Sequence, residues 1–238
     1  MKKFAIILCG CGNKDGSEIH ESVMTMLAID KKEALYEIFA PDIEQYHIIN
    51  HLNGKEMQEK RNVLIESARI ARGNIKELSK LKVKDFDAIV FPGGNGVAKN
   101  LFTYAVDGIK AKTLPDVERV IKEAHAAAKP IGALCISPVL IAKVLGNITV
   151  TIGQDKKTAD DIMKMGANHI NAIQTDVVSD RKNKIFTTPC YMLDASIADI
   201  AEGAENLIDP LFYQPNCWLQ FGNTFYSSIF LLRFHIIY

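Results

Sequence analysis

The stretch Lys129-Pro130-Ile131-Gly132-Ala133-Leu134-Cys135-Ile136-Ser137-Pro138 decides how the chain is read. Ile131 to Leu134 is apolar without alternation, the pattern of a short strand covered on both faces. Gly132 and Ala133 keep bulk away from the turn that follows. Ser137 is small and suits a helix cap, and Pro138 fits the first helical position, where no N–H is needed. Cys135 therefore falls on a strand-to-helix corner, a geometry that exposes a nucleophile and turns backbone N–H groups toward it. A helix N-terminus behind it favours the thiolate. From these residues alone, a small buried hydrophobe is an equal alternative.

Working outward, two more apolar runs end in glycine-bearing loops. Ala88-Ile89-Val90-Phe91 runs into Pro92-Gly93-Gly94-Asn95-Gly96, and Phe4-Ala5-Ile6-Ile7-Leu8 runs into Cys9 to Gly16. In an open parallel sheet, ligands bind beyond the carboxyl ends of the strands, so loops 9–16, 92–96 and 135–138 are expected on one rim. Helices alternate with these strands. Ser17 is expected to cap one with an apolar face of Ile19, Val23, Met26 and Leu27. Another starts at Thr113-Leu114-Pro115-Asp116 and carries Val117, Val120, Ile121 and Ala124. Tyr36 to Ala40 is a second strand, which makes βαβ grammar. Ile148 to Thr151 is expected as a strand, Thr158 to Met165 as a helix, Asp176 to Thr188 as a hairpin, and Met192 to Ile208 as a final helix.

The chain suits one large domain: 238 residues with 48% hydrophobic content can bury a substantial core. We read an α/β domain over 1–210, with an excursion over 42–82 that holds a tight turn at Asn53-Gly54 and a helix over 63–72. An aromatic-rich tail occupies 211–238. Its run from Phe225 to Tyr238 is too short to span a bilayer and carries Arg233 and His235. It is expected to pack on its own chain or a partner subunit, or to be poorly ordered. Net charge is zero, so no footprint for nucleic acid or an anionic membrane is present. The five cysteines lack framework spacing, which points to a reducing compartment.

Several residues carry chemistry less clearly. Gly93-Gly94-Asn95-Gly96 lacks the Gly-Lys-Ser/Thr ending of a P-loop. Its better use is an oxyanion site, with the N–H of Gly94 opposite that of Ile136. Cys9 and Cys11 are too sparse for a metal site, with His20 the only nearby histidine, so no metal is expected. Cys190 and Cys217 read as structural. Glu21 lies opposite the apolar stripe of its helix, which suggests solvent, and periodicity alone gives no reason to make it catalytic.

With these residues in hand, the chain resembles the ThiJ/PfpI superfamily, which shares a flavodoxin-like core with class I glutamine amidotransferases. Within it the ElbB branch is similar. The matching segments are Cys11 to Glu21, Ile49-Asn50-His51-Leu52, Arg61 to Ile70, Pro92-Gly93-Gly94 with Ala98 to Leu101, Cys135 with Ile136 and Pro138, and Thr187-Thr188-Pro189 with Tyr191-Met192-Leu193. They cover about residues 1 to 208.

The resemblance implies a doubly wound, mostly parallel sheet with helices on both faces and a nucleophile elbow. It implies a cytoplasmic homodimer or higher homo-oligomer, a reactive Cys135, Glu21 as its acidic partner and Gly94 in the oxyanion site. Cys11, Asn50 and His51 are expected to line that site. ElbB-like proteins are described as cofactor-independent glyoxalases. The implied activity is therefore a glyoxalase III-like lyase that takes small 2-oxoaldehydes through a Cys135 hemithioacetal, with no cofactor and no macromolecular ligand. Ile136 stands where many superfamily members have histidine, so glutamine hydrolysis and peptidase chemistry lack their base. The alternative is a redox-sensing or stress-response protein in which Cys135 is oxidised rather than catalytic.

Overall fold

The structure is a computed structural model that describes residues 1–213. The tail from 214 onward, with Cys217, Arg233 and His235, lies outside the described residues. In chain order the elements are β1 (Lys3–Ile7), α1 (Ile19–Asp30), β2 (Leu35–Ala40), β3 (Ile48–Ile49), β4 (Glu56–Met57), α2 (Val63–Ile70), β5 (Lys76–Glu77), β6 (Ala88–Phe91), α3 (Tyr104–Asp107), α4 (Pro115–Ala126), β7 (Ile131–Leu134), α5 (Ser137–Leu145), β8 (Thr149–Val150), α6 (Lys156–Lys164), β9 (Asn168–His169), β10 (Val178–Asp180), β11 (Ile185–Thr188) and α7 (Ile197–Phe212).

A seven-stranded sheet runs β10-β11-β7-β6-β1-β2-β5. Every pair is parallel except β10 with β11, which form the expected hairpin. Side chains alternate across it. Ala5, Ile7, Ile89, Ile131 and Ile185 face one way, onto Val117, Val120 and Ile121 of α4 and Leu140 of α5. Phe4, Ile6, Val90, Leu134 and Phe186 face the other way, onto Ala28 and Ile29 of α1, Val63 of α2 and Leu207 of α7. Two buried faces explain why these strands read as unbroken apolar runs. Each fully buried aliphatic side chain contributes about 1.5–3 kcal/mol relative to exposure.

The excursion is not separate from this sheet. β3 and β4 pair around the Asn53-Gly54 turn, where Gly54 takes φ +73 and its N–H donates to the Asn50 carbonyl at 2.7 Å. α2 is capped by the Asn62 side chain, and β5 then adds the edge strand beyond β2. The expected strand at 148–151 is shorter, and it pairs with β9 in a separate two-stranded sheet.

Three boundaries differ for physical reasons. Ser17 does not cap α1: its hydroxyl accepts from the Cys9 N–H at 2.8 Å, and Glu18 caps instead, accepting from the Glu21 N–H at 2.7 Å. Ser137 does not cap α5 either, since its hydroxyl donates to the Pro92 carbonyl at 2.8 Å and ties the β6 and β7 loops together. The last helix starts at Ile197 rather than near Met192. Cys190–Met192 form a 3₁₀ turn, and a capping box of Ser196 and Asp199 then opens the helix. Among the described residues no helix is long and apolar enough to cross a membrane.

Candidate active site

Cys135 occupies the corner between β7 and α5. Its backbone sits at φ +59, a left-handed conformation that costs a non-glycine residue about 1–3 kcal/mol and marks functional corners. Its N–H donates to the Thr188 carbonyl at 2.9 Å, which holds the corner against β11. The N–H groups of Gly94 and Ile136 hydrogen-bond the Cys135 sulfur, so the two predicted oxyanion donors converge on the predicted nucleophile.

Gly93 must be glycine for a steric reason. A Cβ there would lie 2.4 Å from Cys135 Cβ and 2.6 Å from Glu21 Oε2. The glycines after β6 thus serve close backbone approach, not a phosphate cradle.

Glu21 is fully buried, which corrects its expected solvent position. α1 packs inside out relative to its hydrophobic pattern. Glu21, Ser22, Thr25, Ala28 and Ile29 face the protein, whereas Ile19, Val23 and Leu27 are 41%, 41% and 42% exposed. Glu21 is buried because partners wait for it, whereas Ser22 bonds the Glu18 carbonyl and the Thr25 hydroxyl finds no partner among the described residues. Glu21 Oε2 accepts from the Gly93 N–H at 2.9 Å, and Oε1 accepts from the Tyr191 N–H at 3.3 Å. The Glu18 N–H returns a bond to the Gly93 carbonyl at 2.9 Å. Gly93 and the Tyr191 amide are site residues that the sequence reading missed. The Gly-Gly pair after an apolar strand was the available signal for the first.

Electrostatics make these two side chains one unit. Burial, and next the charge of Glu18, push the Glu21 carboxyl up to about 8, against the N–H groups of Tyr191 and Gly93 and a hydrogen bond with Cys135. Burial, and next the Glu21 charge, push the Cys135 thiol well above its ordinary value, against the pull of the Gly94 and Ile136 N–H groups. The ionised thiol expected from the helix N-terminus is therefore corrected: Cys135 rests as the thiol, while the Glu21 carboxyl, pushed up to about 8, exchanges its proton close to neutral pH. The reason is competition, since desolvation and a neighbouring carboxylate outweigh two N–H donors. The pair can give a proton, take one back and hold an oxyanion against Gly94 and Ile136.

The other residues fall around this centre. Cys9 is fully buried, and burial pushes its thiol to about 12. Cys11 is half-buried beside Glu66 and Arg69, and burial raises its thiol. His51 Nε2 accepts from the Lys14 N–H at 3.2 Å and lies 3.8 Å from Asp15. Asn50 accepts from the Leu52 N–H at 3.0 Å. The His51 contacts clasp the excursion to loop 9–16, while Asn50 bonds within its own turn. His20 Nδ1 lies 2.8 Å from the Tyr191 hydroxyl. Among the described residues no three His, Cys, Asp or Glu side chains converge as metal ligands do.

Comparison with known proteins places this geometry. No protein-family model matches the chain. It is 45% identical over 211 residues to the human glutamine amidotransferase-like class 1 domain-containing protein 3, mitochondrial, covering 84% of this chain and 79% of the relative. It is 35% identical over 223 residues to the mitochondrial ES1 protein of Danio rerio, covering 86% and 83%. Among solved structures, an isoprenoid biosynthesis protein with an amidotransferase-like domain from Ehrlichia chaffeensis superposes with TM-score 0.84 at 37% identity, over 89% of this chain and 98% of that one. Drosophila melanogaster DJ-1beta shares the fold at TM-score 0.53 and 15% identity, over 89% and 90%. The cytoplasmic placement implied by the resemblance is overturned here, because the curated relatives are named as mitochondrial proteins. A buried elbow cysteine on a flavodoxin-like sheet and this similarity along most of its length lead to one assignment: the chain belongs to the glutamine amidotransferase-like class 1 (ES1) family.

Proposed function

We propose that the protein is a cofactor-independent glyoxalase of the ElbB type that acts on small neutral 2-oxoaldehydes. The observation that supports this reading is the meeting of Glu21 and Cys135 at Gly93, whose N–H donates to Glu21 Oε2 at 2.9 Å and where a Cβ would lie 3.0 Å from Cys135 Sγ and 2.6 Å from Glu21 Oε2. The Cys135 sulfur adds to the aldehyde carbon, Glu21 takes the thiol proton, and the two N–H groups receive the developing oxyanion. Glu21 gives that proton to the oxyanion, which completes the hemithioacetal, and, ionised again, removes hydrogen from the hemithioacetal carbon and returns it to the neighbouring carbon, through an enediol. The resulting thioester is hydrolysed by water to a 2-hydroxy acid, which frees the thiol. The net change is addition of one water to the dicarbonyl, with no external oxidant.

A neutral substrate fits the local charge. Glu18 and Glu21 are the buried charged groups beside the sulfur, and an anionic substrate would be repelled by both. The site is expected to be carried by a homodimer or higher homo-oligomer. The test is glyoxal and methylglyoxal consumption in chelator without glutathione, for the wild type, Cys135→Ala and Glu21→Gln. Turnover lost in both variants supports the reading, and equal rates in all three overturn it.

A second reading has its own support: the strained, slightly exposed thiol of Cys135, 8% accessible, suits oxidation as well as turnover. Oxidation at Cys135 in a protein with no aldehyde turnover would favour it.

A further inference from the structure

Cys190 is the buried nucleophile that the proposed reaction leaves unused. Three constraints bring it to Cys135. β11 and β7 are adjacent parallel strands with Thr188 paired to Leu134, so both cysteines lie just past the ends of neighbouring strands. The Cys135 N–H is held by the Thr188 carbonyl at 2.9 Å. Pro189 then turns helical, with φ −70 and ψ −36, and Cys190 takes φ +45. The chain folds back, and the Tyr191 N–H reaches Glu21 Oε1 at 3.3 Å.

Cys190 is thus bracketed. The residue two before it holds the Cys135 backbone, and the residue after it holds the acid that bonds the Cys135 sulfur. Its side chain belongs to the same apolar cluster as Cys135. The Cys135 corner keeps 8% of that residue's surface exposed and Cys190 none, so an oxidant from solvent meets the Cys135 corner first.

We propose that Cys190 is a resolving thiol, which answers hydroperoxide oxidation of Cys135 with an intramolecular Cys135–Cys190 disulfide. In the first step the Cys135 sulfur attacks a peroxide oxygen and the O–O bond breaks. Sulfur is oxidised to the sulfenic acid and the peroxide is reduced to an alcohol or water, with Glu21 passing the thiol proton to the leaving oxygen. In the second step the Cys190 sulfur attacks the Cys135 sulfur and the S–O bond breaks. Water leaves with the Cys190 proton, and no further oxidant is consumed. A disulfide needs its Cα atoms about 4.4–6.8 Å apart; the parallel pairing of Thr188 with Leu134 sets the two corners side by side, and the Cys190 sulfur, now 4.0 Å from the Thr188 hydroxyl, must turn from it to reach Cys135. The disulfide occupies the Cys135 sulfur and is opened by thiols, so oxidation becomes reversible. The proposal does not require aldehyde turnover.

The test treats the reduced full-length protein with hydrogen peroxide, then unfolds and alkylates it without reductant. The expected wild-type product is about 2 Da lighter than the reduced chain before alkylation and carries two fewer alkyl groups than the alkylated reduced chain after it, contains a linked peptide pair spanning Cys135 and Cys190, and reverts with dithiothreitol. Cys190→Ser is expected to gain about 16 and then about 32 Da at Cys135 instead. A wild-type Cys135 bearing two or three oxygens with Cys190 alkylated overturns the proposal. So does a disulfide that uses Cys9 or Cys11, or a peroxide-inert Cys135. The wild-type peptide map decides the matter even where Cys190→Ser fails to fold.

Discussion

Strand β7 and helix α1 were both read from hydrophobic pattern, and only the strand lies as its pattern says. β7 lies where an unbroken apolar run places it, Ile131–Leu134, with all four residues buried. α1 has an equally regular stripe, yet Ile19, Val23 and Leu27 face outward and Glu21, Ser22 and Thr25 face inward. Periodicity reports the buried face where the neighbour is apolar. α1 packs beside a functional rim, where backbone N–H groups select its polar side. A helix whose pattern contradicts its burial is thereby a pointer to chemistry, as a local rule broken at a functional site often is.

The sharpest way to break this comparison is to remove the polar residue α1 buries. Glu21→Gln keeps the shape and is expected to lower 2-oxoaldehyde turnover by about 10²–10⁴-fold, the usual range for a positioned acid–base group. Stability should move the other way. A carboxyl raised from the ordinary 4.5 to about 8 leaves the folded state holding more protons than the unfolded one across that window. Wild-type stability therefore falls as pH rises from about 4.5 to about 8. The Tm of Glu21→Gln, followed over the same range, should fall less. A parallel decline in both would deny the shift.

Gly93→Ala attacks the junction of the two regions. Its Cβ would stand 2.4 Å from Cys135 Cβ and 2.6 Å from Glu21 Oε2. We expect about 1–3 kcal/mol of destabilisation by denaturant titration, the usual cost of overpacking, together with loss of activity. An unchanged protein would mean that the corner is looser than described.

Substitution on α1 against α4 gives a smaller contrast. Ile121→Ala, on the fully buried face of α4, should cost about 2–5 kcal/mol. Val23→Ser, on the exposed stripe of α1, should stay within about 0.5 kcal/mol. A large cost at Val23, tracked with solution mass, would show that the stripe is covered by another copy of the chain.

How much was legible follows the same division. The parallel sheet, the shared rim of three loops and the Asn53-Gly54 turn were written in local residue order, because each depends on neighbours in sequence. Glu21 was not. Its hydrogen-bond partners Gly93 and Tyr191 lie 72 and 170 residues away, and only resemblance to a known family brought it forward. The caps failed for a related reason: Ser17 is taken by the Cys9 N–H at the start of its own loop and Ser137 by the Pro92 carbonyl in the loop after β6, and these partners outbid local capping. The protonation of Cys135 was misjudged because the helix N-terminus is visible in sequence, whereas desolvation and the Glu21 charge are not.

The central claim is that Cys135 and Glu21 titrate as a coupled pair. The pH dependence of Cys135 alkylation by iodoacetamide, compared between wild type and Glu21→Gln, tests it most directly. Wild type should react with an apparent pKa above the ordinary thiol value of about 8.5, and Glu21→Gln should shift that profile to lower pH by removing the neighbouring charge. An ordinary profile in the wild type, or identical profiles in the two proteins, would contradict it.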